Sequence, residues 1–411
     1  MRILPALLAL AMSASHAMDW TLEADLLVAH TDQQWRADSP LNPSNHFNLA
    51  TQSLAWQWRP TLKGSQGDWQ WRLNPTLSGE RQTKQGGHDE TLTARMAEWA
   101  VNWRPVADWR LSLGKQVLQW GPGLTASPSN PFDYDNSRRN PLDQLTGKGF
   151  ARCLINLDDH WSLNLMARLK TAHDEASFAA QQAIKLDWIG NTASASLVAA
   201  HRQGEAAHVG AYGQLTASDA ALLFFEASYA TGPARQVVTA ANNPLGATWR
   251  TTHHASQRAV QLIAGGSYTT EGGRTASIEY RHNGHGMAHP DPAKHMLLER
   301  AWELAQQATP ISGLGTQVLG EALTHHRSGQ GRHYLTLQWL DNQSHDKVEL
   351  FMRYTRNLND GSGEWIPSLT IELADHLQWF NYGTIRHGHR HSDFGQLLGW
   401  SLTTGLQYRF R

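Results

Sequence analysis

Cysteine is almost missing from this chain: Cys153 stands alone among 411 residues. No intrachain disulfide can form, and a lone thiol within a strand-like segment reads as buried and inert. Net charge is equally scarce, a formal −1 at pH 7, so the whole-chain field gives no footprint for nucleic acid. Past the N-terminus no stretch is continuously apolar, and the mean hydropathy of −0.49 excludes a helical membrane protein. It does not exclude a barrel, because lumen-facing residues halve the apolar content of each strand. Phosphate loop, paired-cysteine metal motif and nucleophile elbow are all absent from the sequence.

Tryptophan, by contrast, is plentiful, with 18 copies. The chain opens on Met1-Arg2 and a short apolar run over residues 3–12, too short to span a bilayer. Ser15-His16-Ala17 then supplies small residues at −3 and −1, so residues 1–17 read as a signal peptide cut after Ala17. Residues 18–411 remain as one domain.

That domain is organised by a two-residue rhythm. In the last segment Leu398, Trp400, Leu402, Leu406, Tyr408 and Phe410 alternate with Gly399, Ser401, Thr403, Gly405, Gln407 and Arg409. Side chains alternate faces along a strand, so one face is greasy and the other small or polar. Trp69, Trp71, Leu73 and Leu77 alternate likewise with Gln70, Arg72, Asn74 and Ser78, and Trp161, Leu163 and Leu165 with Ser162, Asn164 and Met166. About eighteen such segments follow, from 19–30 through 47–59, 91–104 and 109–120 to 397–410, or sixteen if a pair merges. Alternate connections are short (158–160, 189–191, 218–219) and the others tend to be long (31–46, 121–146, 231–257, 284–331). Short turns on one side and long loops on the other, with both termini on the short side, describe an antiparallel up-and-down transmembrane β-barrel. Trp20, Trp69, Trp109 and Trp161 open outward-running segments, while Trp58, Trp103, Trp188 and Trp339 close inward-running ones. All should therefore lie in one aromatic girdle at the short-turn level.

Two loops carry more than connection. Loop 121–146 mixes proline turns with charge of both signs, including Asp133, Asp135, Arg138 and Arg139. It either folds inward to narrow the lumen or caps the rim. In the loop after 274–283, Asp291 reads as an N-cap and Pro292 as the first helical residue, with Leu297, Leu298, Ala301, Leu304 and Ala305 on one apolar face. One short helix is expected there, as a lid over the mouth or a helix packed on neighbouring loops.

Histidine invites a metal reading, with 22 in the chain and runs at His253-His254, His325-His326 and His387-Gly388-His389-Arg390-His391. A metal site needs three or four converging ligands, and nothing in this spacing demands convergence, so no metal is expected. The stretch Glu279-Tyr280-Arg281-His282-Asn283-Gly284-His285 invites comparison with barrel phospholipases, but no serine accompanies the histidine where one is needed. No enzyme activity and no cofactor are expected. The inward faces instead give Arg72, Arg110, Lys115, Arg168, Lys170, Arg281 and Arg353 with Glu98, Glu279, Glu349 and Glu372 as pore-lining or constriction residues, joined by the four charges of loop 121–146. Base slightly exceeds acid, which leans toward anions; the blander role for most of these charges is cross-strand pairing that stiffens the wall.

Trp109-Arg110-Leu111-Ser112-Leu113-Gly114-Lys115-Gln116, with Trp120-Gly121 and Asn130-Pro131-Phe132, resembles a segment of porin-like outer-membrane proteins. There a strand, Gly-(Arg/Lys)-Gln, Trp-Gly and an Asn-Pro loop lead into a constriction. Glu279-Tyr280 with Asn283-Gly284 and Gly286 resembles a second segment of that group, including relatives near alginate-export and capsule-assembly barrels. The final aromatic, Phe410, is similar to the C-terminal mark read by the barrel-assembly machinery. The resemblance implies a Gram-negative outer-membrane barrel, monomeric or weakly oligomeric, in contact with outer-membrane lipid and lipopolysaccharide. It implies a passive channel for small hydrophilic solutes restricted by loop 121–146. The alternative is a non-conducting barrel that exports, anchors or assembles a surface polysaccharide.

Overall fold

The computed structural model describes residues 19–137, 140–170, 178–232, 235–252, 257–342 and 346–410; the expected signal peptide, Arg138, Arg139 and His253-His254 lie outside them. The first four strands are long: β1 (Asp19–Trp35), β2 (Gln52–Gln66), β3 (Trp69–Lys84) and β4 (Gly87–Val106). Shorter ones follow as β5 (Trp109–Gln116), β6 (Lys148–Asn156), β7 (Trp161–Leu169), β8 (Gln181–Ile189), β9 (Ala193–Arg202), β10 (His208–Thr216) and β11 (Ala221–Thr231). A loop hairpin, β12 (Arg235–Ala240) and β13 (Ala247–Thr252), stands apart. The wall resumes with β14 (Arg258–Thr269), β15 (Arg274–Asn283), β16 (His333–Asp341), β17 (Val348–Asn357), β18 (Gly363–Ala374), β19 (Leu377–His387) and β20 (Leu398–Phe410). Helices α1 (Pro292–Ala305) and α2 (Ser312–Thr324) lie between β15 and β16.

Every wall strand pairs antiparallel with its neighbours, and β20 pairs with β1, which closes a barrel of 18 strands. Closure removes the free sheet edges that an apolar medium would leave unsatisfied. The two-residue rhythm sets which face is which. On β20, Trp400, Leu402, Leu406, Tyr408 and Phe410 are exposed outward, while Thr403 and Gly405 are buried inward. Leucine, isoleucine and tryptophan cover the outside elsewhere too, as with Leu197 and Ile184, 61% and 53% exposed. An outer surface this apolar around a closed barrel is built to face hydrocarbon. Cys153 belongs to this outer face, half exposed between Leu111 and Leu165 across the ladder, not to a core.

The tryptophan girdle is correct with one exception. Trp69 stacks on Trp103 with ring centroids 5.4 Å apart, and Trp161 pairs with Trp188 near the short turn at 157–160. Trp58, however, does not close its strand: β2 runs eight residues further, to Gln66, and Trp58 sits opposite Leu26 in mid-wall. Residues 43–51 spend the length on a one-turn 3-10 segment (Pro43–Asn45) and a bend, which shifts the whole strand toward the short-turn end relative to 47–59. β5 likewise stops at Gln116, not 120, where the chain turns into the lumen.

The helix expected after β15 starts where the N-cap argument put it, with the Asp291 side chain accepting from the Ala293 amide at 3.0 Å. A second helix, α2, was not expected. Its sequence is weak for a helix, with Gly313, Gly315 and Gly320 and no side-chain cap. Gly315 explains the cost: a Cβ there would meet the Ala301 carbonyl at 2.3 Å, so the glycine permits close crossing of α1. Leu297, Leu298, Ala301 and Leu304 of α1 bury against Val318, Leu319 and Ala322 of α2, with Leu41 and Leu245 from neighbouring loops. Trp249 of β13 donates its indole N–H to the Val318 carbonyl at 2.9 Å. Helices and hairpin thus form a small cap with its own core.

Candidate functional site

The site is built by loop 117–147, which leaves β5 and turns inward. The turn happens because Gly121 adopts a φ of 87°, and a Cβ at Gly121 would strike the Glu226 carboxylate. Local bonds then shape the loop. The Asn130 side-chain oxygen accepts from the amides of Phe132 and Asp133, that of Asp135 from Ser137, and that of Asn140 from Leu142. Asn and Asp favour such turns because their side chains imitate a backbone acceptor.

Opposite sides of the barrel hold it. On β11, Glu226 Oε1 accepts from the Ser127 hydroxyl at 2.6 Å and from the Ser129 amide and hydroxyl at 2.8 and 2.7 Å. On β15, Glu279 accepts from the Thr125 hydroxyl at 2.7 Å and from the Leu124 amide. Arg353 of β17 donates to the Leu124 carbonyl at 3.2 Å. Across the lumen, Arg59 of β2 donates to the carbonyls of Pro141 and Leu142 at 2.8 and 3.1 Å. Asn140 donates to Thr403 of β20 at 2.8 Å, and Thr76 of β3 bonds Gln144. A third footing is apolar: Phe132 packs on Phe150 at 4.8 Å between centroids, within a cluster of Met166, Ala183 and Ala200. The inner wall here is greasy where the sequence rhythm promised polarity, because it seats a loop and not water. Gly210 lets β10 approach Ser129, where a Cβ would come within 2.8 Å of Cα.

The loop leaves space beside it. Two cavities of about 510 Å³ each share Glu98 and Val117. One lies toward the short-turn end and is lined by Lys63, Arg72, Glu98, Asn102 and Lys115; the other runs along Gln119, Asn136, Asn140, Asp143 and Gln144. Glu98 accepts from the Val117 amide at 2.9 Å and from the Asn74 side chain at 3.2 Å.

The expected site residues therefore divide. Glu98, Arg72 and Lys115 line the cavity, although Lys115 is nearly buried and donates to the Met96 carbonyl at 2.7 Å. Asp133 and Asp135 lie in the loop, where Asp135 bonds Ser137. Glu279, Arg281 and Arg353 are buried, Glu279 and Arg353 as anchors of the loop and Arg281 over the Tyr334 ring at 4.2 Å. Arg110, Glu349 and Glu372 face inward near the short turns, far along their strands from the loop. Arg168 and Lys170 sit at the other end of β7, with Arg168 over the Phe178 ring at 5.1 Å. Glu226, Arg59, Asn140 and Gln57, whose side-chain amide donates to the Leu142 carbonyl at 2.8 Å, were not among the expected residues. Glu226 could have been found, since Leu223 and Phe225 on the greasy face of 220–230 place it inward.

Above the loop, the cap closes on a polar knot. Asp393 accepts from the amides of Gly329 and Gln330, from the Tyr334 hydroxyl and from Asn357. Burial raises its carboxyl above the ordinary range. In the cap His295 lies against His391 with centroids 4.0 Å apart and the rings tilted by 34°, and burial with the neighbouring His391 pulls His295 down to about 4. Burial, with help from Lys294, takes His326 to about 3. Among the described residues no three His, Cys, Asp or Glu side chains are arranged to hold a metal.

No protein-family model matches the sequence, and no characterised protein matches it closely enough to align. The fold does have solved counterparts. Pseudomonas aeruginosa OccK11 (OpdR) superposes with a TM-score of 0.56 at 13% identity, covering 95% of this chain and 96% of that one. Pseudomonas aeruginosa OprD gives 0.55 at 10% identity, covering 95% of each chain. Acinetobacter baumannii OccAB3 gives 0.54 at 8% identity over 95% of this chain and 99% of that one. The porin-like barrel fold is thus found from end to end, whereas a relation to alginate-export or capsule-assembly barrels has no support from these structures.

Proposed function

We propose that this chain is an outer-membrane channel for small hydrophilic solutes, passive, narrowed by loop 121–146 and weakly favouring anions. The observation that carries the reading is a loop fixed to both sides of the lumen with cavities left open beside it. A plug serving only as an anchor for polymer has no need of that space. The apolar outer wall fits a bilayer, and the barrel resembles OprD, described as an outer membrane protein from Pseudomonas aeruginosa, with a TM-score of 0.54. The anion preference is supported by Arg59, Arg72, Arg95, Arg110 and Arg152, all on inward positions of β2–β6. Charge on a pore wall is how such a passage discriminates.

Planar-bilayer recording tests this. The full barrel should give discrete conductance steps, and a chain lacking 124–142 should give larger ones. Under a salt gradient the reversal potential should lie on the anion side and move further that way in Glu98→Gln. Absence of steps would return the non-conducting barrel, and a cation-side reversal potential would end the anion assignment.

A further inference from the structure

The outward rhythm of β14–β19 changes chemistry at the long-loop end. Below lies an apolar row of Ile278, Leu337, Tyr354, Trp365 and Ile385, of which Ile278, Leu337, Trp365 and Ile385 are exposed. One step higher, on the same face, come Arg356 and His387, with His282 and His333 a further step up; Arg258, outward on β14, stands six residues beyond Ala264, the β14 residue in the row of Arg356. Arg356 lies opposite Leu335 and Gly363 across the ladder, exposed, and no ion pair involves it among the described residues. Arg258 is exposed over the outward ring of Tyr229, 5.0 Å from its centroid. Tyr280 bonds His333 at 2.7 Å, and Tyr354 bonds His387 at 3.0 Å, so tyrosines from the apolar row hold the imidazoles in place. None of these strands puts a carboxylate on that outward edge. The β1–β4 side differs: there Asp32 pairs with His30, and Glu90 with Arg81.

An arginine with no acid beside it, set at the top of a wall that faces hydrocarbon, offers an unneutralised charge at the level where anionic headgroups lie, a placement that favours their binding. We infer that the β14–β19 edge binds phosphates of anionic glycolipid in the outer leaflet, Arg356 and Arg258 each taking phosphate oxygens at its own place along the edge, with Met352 and Trp365 beside Arg356 against the acyl chains. A guanidinium suits this because its planar fork meets phosphate in two hydrogen bonds. The inference rests on the membrane placement proposed above, not on conduction.

The test is lipid retention by the detergent-purified full barrel, read by native mass spectrometry with added diphosphoryl lipid A. The intact chain should keep lipid A in preference to phosphatidylcholine. Arg356→Gln and Arg258→Gln should each lower retention about fivefold, the effect of one cation beside an anionic lipid surface, and Arg356→Lys should fall less. Arg81→Gln, on the paired β1–β4 side, should change nothing, and excess inorganic phosphate should not displace the lipid. Unchanged retention in Arg356→Gln, an equal loss in Arg81→Gln, or equal retention of phosphatidylcholine would overturn the site. Arg356 points away from the lumen, so conductance should persist in Arg356→Gln. Loss of conductance in every protein with lipid binding intact would sink the channel and spare this edge.

Discussion

Glu226 is fully buried, and its Oε1 receives three hydrogen bonds from a loop about a hundred positions earlier in the chain. Removing an acceptor strands its donors, which costs about 1–3 kcal/mol per unsatisfied group. Glu226→Ala should therefore lower the melting temperature of the barrel in detergent and raise open-channel noise as the loop loosens. Glu372→Ala, an exposed inward carboxylate near the short turns and away from the loop, should leave both readings alone. Equal effects from the two would show that Glu226 is no anchor. The pairing that makes Glu226 matter could not be read from sequence. Alternation says which way Glu226 and Glu279 point, but not that Ser127, Ser129 and Thr125 arrive to meet them. Lys115 teaches the same limit: it lines the cavity as its strand position promised, but alternation could not name the Met96 carbonyl to which its ammonium donates.

At the level of elements, strands were legible and their partners beyond the wall were not. A period of two needs only neighbouring residues, so β7 and β20 stand almost where the rhythm put them. α2 and the hairpin of β12 and β13 are stabilised by each other and by α1, contacts that leave no periodic trace in glycine-rich or polar sequence. The cap they form should respond to acid. His295 and His326 have folded values near 4 and 3 against an ordinary 6.5. Between 6.5 and those values the unfolded cap binds protons that the folded cap refuses, so stability is complete above 6.5 and falls as pH drops toward 4. Limited proteolysis within 284–331 should accelerate from pH 7 to pH 4.5. His295→Gln with His326→Gln should flatten that dependence, and an unaltered slope in the double variant would assign the effect elsewhere.

For the molecule as a whole, the wall is uneven. β1–β4 run 15 to 20 residues while the remaining wall strands run 8 to 13. The tall side carries outward charges beyond the apolar band, in His30, Asp32, Arg81 and Glu90, and the low side is roofed by the helical cap. Loop 117–147 leaves the upper end of β5, beside the tall side, and reaches across to β11, β15 and β17. Architecture was readable because a bilayer imposes one rule on every strand at once. The interior obeys no such uniform rule, and it had to be seen.

The join between β20 and β1 brings Phe410 opposite Ala24. Such a zip cannot fasten until β20 has reached β1, so before that moment the polypeptide carries two raw seams and an inner loop with some of its moorings missing. Shortening the chain before Leu398 would leave β19 and β1 as open borders in oil. Heat-modified gel mobility should then report no compact form, and recovery of one would mean that the remaining seventeen staves can meet by themselves.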